Sequence, residues 1–252
     1  MLTLIRNLLI IPGIFLLNSG KPTVTFKSSG KDLLAGKISP TNYTKKKIFT
    51  PEVIADKYKT WNIAASGIST EVFTYAIKGF NYLSQTNKIN NSEIITIIDF
   101  SKPSTQRRLY ILNLTSGEIL FNTLVAHGRN TGLLYPASFS NKSSSYESSL
   151  GFYVTLNTYT GNNGYSLKLL GCEKGFNDNA LQRNIVLHGA AYVNESFIQQ
   201  NGFLGRSYGC PAVPFKVHHQ IIDLIKNGSC LFIYHPNKKY VQRSAFINHS
   251  LG

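Results

Sequence analysis

Ile185-Val186-Leu187-His188-Gly189-Ala190, then a polar interval, then Gly205-Arg206-Ser207-Tyr208-Gly209-Cys210-Pro211-Ala212, is the stretch around which the chain is organised. An apolar run of strand character delivers His188 to a loop at Gly189. A loop rich in glycine then presents Cys210. The two residues stand 22 positions apart, enough for the chain to leave and come back. A thiol needs a base to become a nucleophile, and a histidine at a strand end is a usual one. Gly209 permits a tight turn and a close approach of substrate to the main chain. Pro211 fixes its own φ and biases Cys210 toward extended backbone. Amide N–H groups around such a cysteine can face a cleft and stabilise an oxyanion. Ser207, three residues before the cysteine, can hydrogen-bond within the loop. Taken singly, a strand-end histidine is most often structural and a cysteine simply buried. Their combination in this order, with these flanks, is what points to chemistry.

Working outward, the periodicity after Pro214 predicts a helix through Lys226, with Val217, Ile221, Leu224 and Ile225 on one face and Gly228 ending it. Residues 230–234 read as a last buried strand and residues 236–252 as a polar tail. Upstream, residues 151–159 and 165–170 flank Thr160-Gly161-Asn162-Asn163-Gly164, a hairpin with an Asn-Gly turn. Residues 177–182 read as one helical turn. Residues 94–98 form a strand candidate, and 108–114 with 118–126 a hairpin about Thr115-Ser116-Gly117. Thr50 and Pro51 open a helix, and a second starts near Ser69, its face made by Phe73, Ala76, Ile77, Phe80 and Leu83. These helices are expected to cover the sheet. Residues 129–149 form a long serine-rich loop, a length that usually carries a function, and are read equally as a cleft wall or a mobile surface loop. As a cleft wall, it offers Asn141 and Ser149 as hydrogen-bond donors to a bound peptide. His127, after the second strand of the first hairpin, is a lower-ranked cleft residue. Arg183, beside the His188 strand, is either a salt-bridge residue or a carboxylate binder.

The 252 residues allow one large domain with an appendage. The formal net charge of +14 favours an anionic partner. The basic residues are scattered apart from Lys45-Lys46-Lys47, and no nucleic-acid-binding pattern appears, so nucleic acid is not expected. A polymer bearing carboxylates fits better, with simple solubility as the bland alternative.

His188-Gly189 followed by Ser207-Tyr208-Gly209-Cys210-Pro211-Ala212 resembles the L,D-transpeptidase (YkuD-like) catalytic domain family, in the branch with Ser-x-Gly-Cys-Pro-Ala. The likeness extends through Val125-Ala126-His127-Gly128, Phe139-Ser140-Asn141, Ser149-Leu150-Gly151, Gly175-Phe176-Asn177 and Gly228-Ser229-Cys230, and weakly over residues 69–100. It implies a mainly β fold, a mixed sandwich or barrel-like sheet with peripheral helices, over residues 50–235. It implies Cys210 as nucleophile and His188 as base. The histidine is then oriented by a main-chain carbonyl near Gly189, or by Ser207. N–H groups of Tyr208, Gly209 and Cys210 form the oxyanion hole. Many members carry an arginine two positions after the cysteine. Here that position is Ala212, and Arg206 is the candidate to supply the charge. The implied partner is a peptidoglycan stem peptide, with acylation by carbapenems, and no cofactor is expected. The implied reaction is crosslinking through a cysteine acyl-enzyme. The same site serves an L,D-carboxypeptidase or a wall-link hydrolase, and a wall-binding protein without turnover is the alternative of another class. The His188 pairing leads us to expect a Cys210 thiol more acidic than free cysteine.

Residues 1–20 pair Arg6 with a short apolar run from Leu8 to Leu17, which reads as an export signal or an uncleaved membrane anchor, and hence a periplasmic or exported protein. Residues 21–49 read as a linker or arm. Of the three cysteines, Cys172 and Cys230 are the arithmetical pair if one disulfide forms, although Cys230 in an apolar strand suits simple burial. No zinc-type spacing occurs, and adjacent His218 and His219 point apart on a helix, so no metal site is expected.

Overall fold

The computed structural model describes residues 48–248. The Thr50 side chain accepts the Val53 N–H to cap helix α1 (Pro51–Thr60). Ser69 accepts the Val72 N–H to cap helix α2 (Thr70–Gln85), whose predicted face of Phe73, Ala76, Ile77, Phe80 and Leu83 is buried. Asn81 of α2 clamps the backbone of Phe49, accepting its N–H at 3.1 Å and donating to its carbonyl at 2.6 Å. Phe49 is therefore part of the core, not of a loose arm.

The sheet contains β1 (Ile94–Asp99), β2 (Leu109–Asn113), β3 (Ile119–Thr123), β4 (Gly151–Gly161), β5 (Gly164–Gly171), β6 (Val186–Ala190), β7 (Ala212–Pro214) and β8 (Cys230–Tyr234). Their order is β3-β2-β1-β8-β4-β5-β6-β7. The pairs β1·β8 and β6·β7 are parallel and the others antiparallel. Both expected hairpins form. Beyond β3 the chain runs on to Ala126, whose N–H donates to the Ala212 carbonyl at 2.8 Å and which bridges to β7. The two ends of the sheet thus meet, and the mainly β, barrel-like architecture read from the sequence is nearly closed.

One large apolar cluster fills the space between sheet and helices, where Phe152 of β4 and Phe232 of β8 stack at 4.1 Å. A smaller one, of Leu124, Ala126, Ala190, Val193, Leu204 and Ala212, lies under the β6–β7 end. Two further helices, α3 (Glu195–Asn201) and α4 (His218–Ile225), flank β7 in sequence. The first falls in the interval read only as polar. Asn194 caps it by accepting the Phe197 N–H, but none of its residues is buried, so it has no apolar stripe to announce it. Residues 177–182 form turns, one of them closed by the Arg183 N–H on the Asn179 carbonyl at 2.8 Å, with no longer helix.

The predicted tail needs correcting. Helices α5 (Lys238–Arg243) and α6 (Ala245–Asn248) pack on the body through Tyr240, Phe246 and Ile247. The buried Glu173 carboxylate holds them: it accepts from Tyr240 Oη at 2.9 Å, from Ser244 Oγ, and from the Phe152 N–H at 2.8 Å. Three apolar side chains in a polar stretch are too few for a periodicity signal, yet they suffice where a hydrogen-bonded acceptor waits. The three cysteines are free. The export segment over residues 1–20 and all but the last two residues of the 21–49 arm lie outside the described residues. Among the described residues, no helix is long and apolar enough to cross a membrane.

Candidate active site

Adjacent parallel strands need a crossover, and the interval between His188 and Cys210 is one. His188 of β6 pairs with Ala212 of β7, and its N–H approaches the Pro211 carbonyl at 3.4 Å. Cys210 precedes β7 by two residues, so the sheet register brings the two side chains to one cavity of about 580 Å³. Gly189, Tyr192, Arg206, Ser207 and Tyr208 line it too, with the Asn162-Asn163-Gly164 turn and Phe215 at its border.

His188 is buried, and its Nδ1 lies 3.0 Å from the Gly189 carbonyl. A carbonyl only accepts, so Nδ1 carries the proton and Nε2 presents its lone pair. Of the two orienting groups considered, the Gly189 carbonyl fills the place. Burial pushes the His188 pKa below its ordinary value, against the Gly189 hydrogen bond and with help from His218, so the ring is neutral at pH 7. Gly189 permits one further contact: a Cβ there would lie 2.5 Å from the His218 ring. His218 is itself fixed by Nδ1 on the Phe215 carbonyl at 2.6 Å.

The thiol sits on the segment leading into β6. Cys210 Sγ accepts the Val186 N–H at 3.4 Å and lies 3.6 Å from the Asn184 carbonyl. Burial raises its pKa, and the Val186 N–H and the Arg183 charge offset this only in part. Burial therefore works against the acidified thiol that the pairing led us to expect. The desolvated site disfavours both charged forms, and the neutral His188 supplies no cation. The resting pair is thiol and imidazole.

Ser207 is the loop's internal brace. Its Oγ donates to the Cys210 carbonyl at 2.6 Å and accepts the Gly209 N–H at 3.1 Å. Its N–H donates to the His127 carbonyl at 3.0 Å, and its carbonyl accepts the Arg129 N–H at 2.7 Å. Gly209 has φ +119°, and a Cβ there would meet the Glu147 carbonyl oxygen at 2.7 Å. Because its N–H is spent on Ser207, Gly209 drops out of the expected oxyanion hole. Among the described residues, the N–H groups of Tyr208 and Cys210 donate to no protein acceptor. Arg206 lines the cavity, its Nη1 donating to the carbonyls of Arg129 at 3.1 Å and Gly132 at 3.3 Å. Ala212 is fully buried in the smaller apolar cluster.

Four residues expected near substrate are scaffold instead. His127 does not line the cleft. It is fully buried, with Nδ1 2.7 Å from the Arg108 guanidinium and Nε2 donating to the Gly132 carbonyl at 3.1 Å. Burial and the Arg108 charge hold it neutral, with its pKa lowered to about 3. Ser149 is buried, donating to the Ser140 carbonyl at 2.7 Å and accepting from Arg183 at 2.6 Å. Asn141 closes a local network with Asp178 and Asn179 beside a separate, smaller cavity. Arg183 staples the long loop: it donates to the Ser140 carbonyl, Ser149 Oγ, Ser145 Oγ and the Glu147 carbonyl at 2.6–3.0 Å. The loop of residues 129–149 is thus tied down beside the cysteine. Tyr192 and Phe215 line the cavity, and Asn184 contacts the thiol; none of the three was read from the sequence, because only the folded register brings them there.

A model of the L,D-transpeptidase catalytic domain matches residues 64–234. The chain belongs to the L,D-transpeptidase catalytic domain family. No curated protein matches it. Similar solved structures include an L,D-transpeptidase from Mycobacterium smegmatis, at 11% identity over 57% of this chain and 59% of that one, TM-score 0.35. Another is an L,D-transpeptidase from Stackebrandtia nassauensis, at 14% identity over 73% and 76%, TM-score 0.34. A third is a helical cell shape determining protein from Campylobacter jejuni, at 12% identity over 64% and 56%, TM-score 0.37. The chain spans 59% of the length of the mycobacterial protein.

Proposed function

We propose that this member of the family is an exported peptidoglycan L,D-transpeptidase that works through a thioester on Cys210. The observation that supports it most is His188 and Cys210 on one cavity, with Nδ1 committed to the Gly189 carbonyl and Nε2 left as the base. Cys210 Sγ attacks the carbonyl of the third residue of a tetrapeptide stem while its proton passes to His188 Nε2. The oxyanion is met by the N–H groups of Tyr208 and Cys210. Collapse breaks the peptide bond, and the His188 proton leaves with the D-alanine amine. An amine of a second stem then gives its proton to His188 and attacks the thioester. The thiolate is expelled and takes the proton back, leaving a crosslink. Water in place of the amine makes the same site a carboxypeptidase. The net charge of +14 suits a carboxylate-rich wall polymer, and the apolar run at residues 8–17 supports export.

The test is intact-protein and product mass spectrometry of the chain with disaccharide-tetrapeptide. Expected are a covalent adduct on Cys210, equal to the donor less D-alanine, and a crosslinked dimer. D-Alanine loss without dimer assigns the carboxypeptidase. Neither product overturns the enzyme reading in favour of wall binding without turnover.

Gly209→Ala probes the loop geometry. The added methyl must displace either the cysteine loop or the Glu147 carbonyl, because φ +119° disfavours any side chain and the oxygen is 2.7 Å away. A displacement of this size is expected to slow adduct formation about 100-fold, with the far-ultraviolet circular dichroism spectrum unchanged. Adduct formation at the wild-type rate rejects the geometric requirement.

A further inference from the structure

Beside the thiol cavity stands a pair of exposed aromatic rings that the reaction does not use. Tyr208 is 66% and Tyr146 42% exposed. Their centroids are 4.9 Å apart with planes at 51°. The Arg129 guanidinium lies 5.8 Å from each ring. Tyr208 lines the cavity, so the pair is continuous with it. Tyr146 belongs to the long loop pinned by Arg183 and by the Asn130 Nδ2 donation to the Ser145 carbonyl at 2.8 Å, so the rings are held on built backbone.

We propose that Tyr146 and Tyr208, with Arg129, form a platform for the pyranose rings of the glycan strand that carries the stem. The inference rests on the assignment of the cavity to a wall stem peptide. The chemistry fits: the electron-rich face of a tyrosine attracts the polarised C–H face of a pyranose, while phenol and guanidinium groups meet its hydroxyl and acetamido groups. The dimensions fit too. Three residues of extended stem separate the reacting carbonyl from the sugar by about 10 Å. A cavity of about 580 Å³ is roughly 10 Å across if equiaxial, so a stem filling it delivers its sugar to the rim. A protein partner would call for a wider apolar surface than two tilted rings.

The test titrates the purified chain with the N-acetylglucosamine tetramer, followed by calorimetry and by NMR of the tyrosine rings. That probe is uncharged, so attraction to a basic protein cannot mimic the result. Saturable binding with shifts on Tyr146 and Tyr208 is expected. Tyr146→Ala is expected to weaken it about fivefold or more, while Tyr146→Phe, which keeps the ring face, retains it. No saturable binding, equal binding by Tyr146→Ala, or equal binding of maltotetraose overturns the platform. Tetramer binding in a preparation that gives no product with disaccharide-tetrapeptide leaves the platform standing and removes the transpeptidase reading, so the two failures are told apart.

Discussion

Cys210→Ala is expected to abolish the covalent adduct and every product, and His188→Ala to slow adduct formation by about 10²–10⁴-fold, the range of a lost general base. The pH dependence separates these roles. Cys210 is raised above the free-thiol value and His188 lowered below the free-imidazole value, so at neutral pH both are uncharged. The wild type therefore keeps its base as pH falls, until His188 protonates at a pH below the ordinary imidazole value. The acidic limb of kcat/KM is expected there. In His188→Ala only thiolate already formed can react. Its rate is expected to climb with pH until it passes the raised thiol pKa, so the deficit narrows in alkali. Alkylation of Cys210 by iodoacetamide gives the thiol profile independently. A wild-type thiol titrating below free cysteine contradicts the neutral resting pair, and a constant His188→Ala deficit from pH 6 to 10 rejects the base.

Arg183→Ala is expected to harm stability and reactivity together. Its two terminal nitrogens satisfy four acceptors on the loop that walls the cysteine, and its Nε, among the described residues, meets no protein acceptor. Leaving part-buried acceptors without donors costs about 1–3 kcal/mol each before water relieves it. A net loss of about 2–3 kcal/mol corresponds to a melting temperature lower by roughly 5–10 °C in a body of this size. The same charge offsets the burial that raises the Cys210 pKa. Removing it is expected to move the iodoacetamide profile to higher pH. Arg183→Lys restores charge but not the fourfold geometry, so it should recover the profile more than the melting temperature. A loss of stability without any change in the profile assigns Arg183 to the loop alone.

The sheet and the longer helices were legible because their signals are local. Phe73, Ile77 and Phe80 share a helix face, and Asn163-Gly164 marks a hairpin turn, whatever the rest of the chain does. The pairing of His188 with Cys210 was legible because a glycine follows the one and precedes the other within one stretch, although His188 stands in the middle of β6 and not at a turn. His127 was misjudged for the opposite reason. Its neighbour Gly128 resembles the Gly189 beside His188, and only the burial of Arg108 against it decides that it is structural. Ser149 and Asn141 have the right chemistry for a peptide donor, but their hydrogen-bonding capacity is taken by Ser140, Arg183, Asp178 and Asn179, none of which the local sequence shows. The C-terminal helices were missed because a carboxylate about seventy residues away holds them.

The bracing of the cysteine loop also bears on when the thiol becomes dangerous. Ser207 ties to the carbonyl of His127, Ser148 Oγ reaches the Gly209 carbonyl across 61 residues, and β7 joins both ends of the sheet. Contacts so distant along the chain close late in folding, after the loop entropy between them has been overcome. Before that moment Cys210 has no fixed imidazole beside it and no oriented amides around it. A nascent or partly unfolded chain therefore carries an ordinary thiol, and reactivity arrives with the last closure of the barrel.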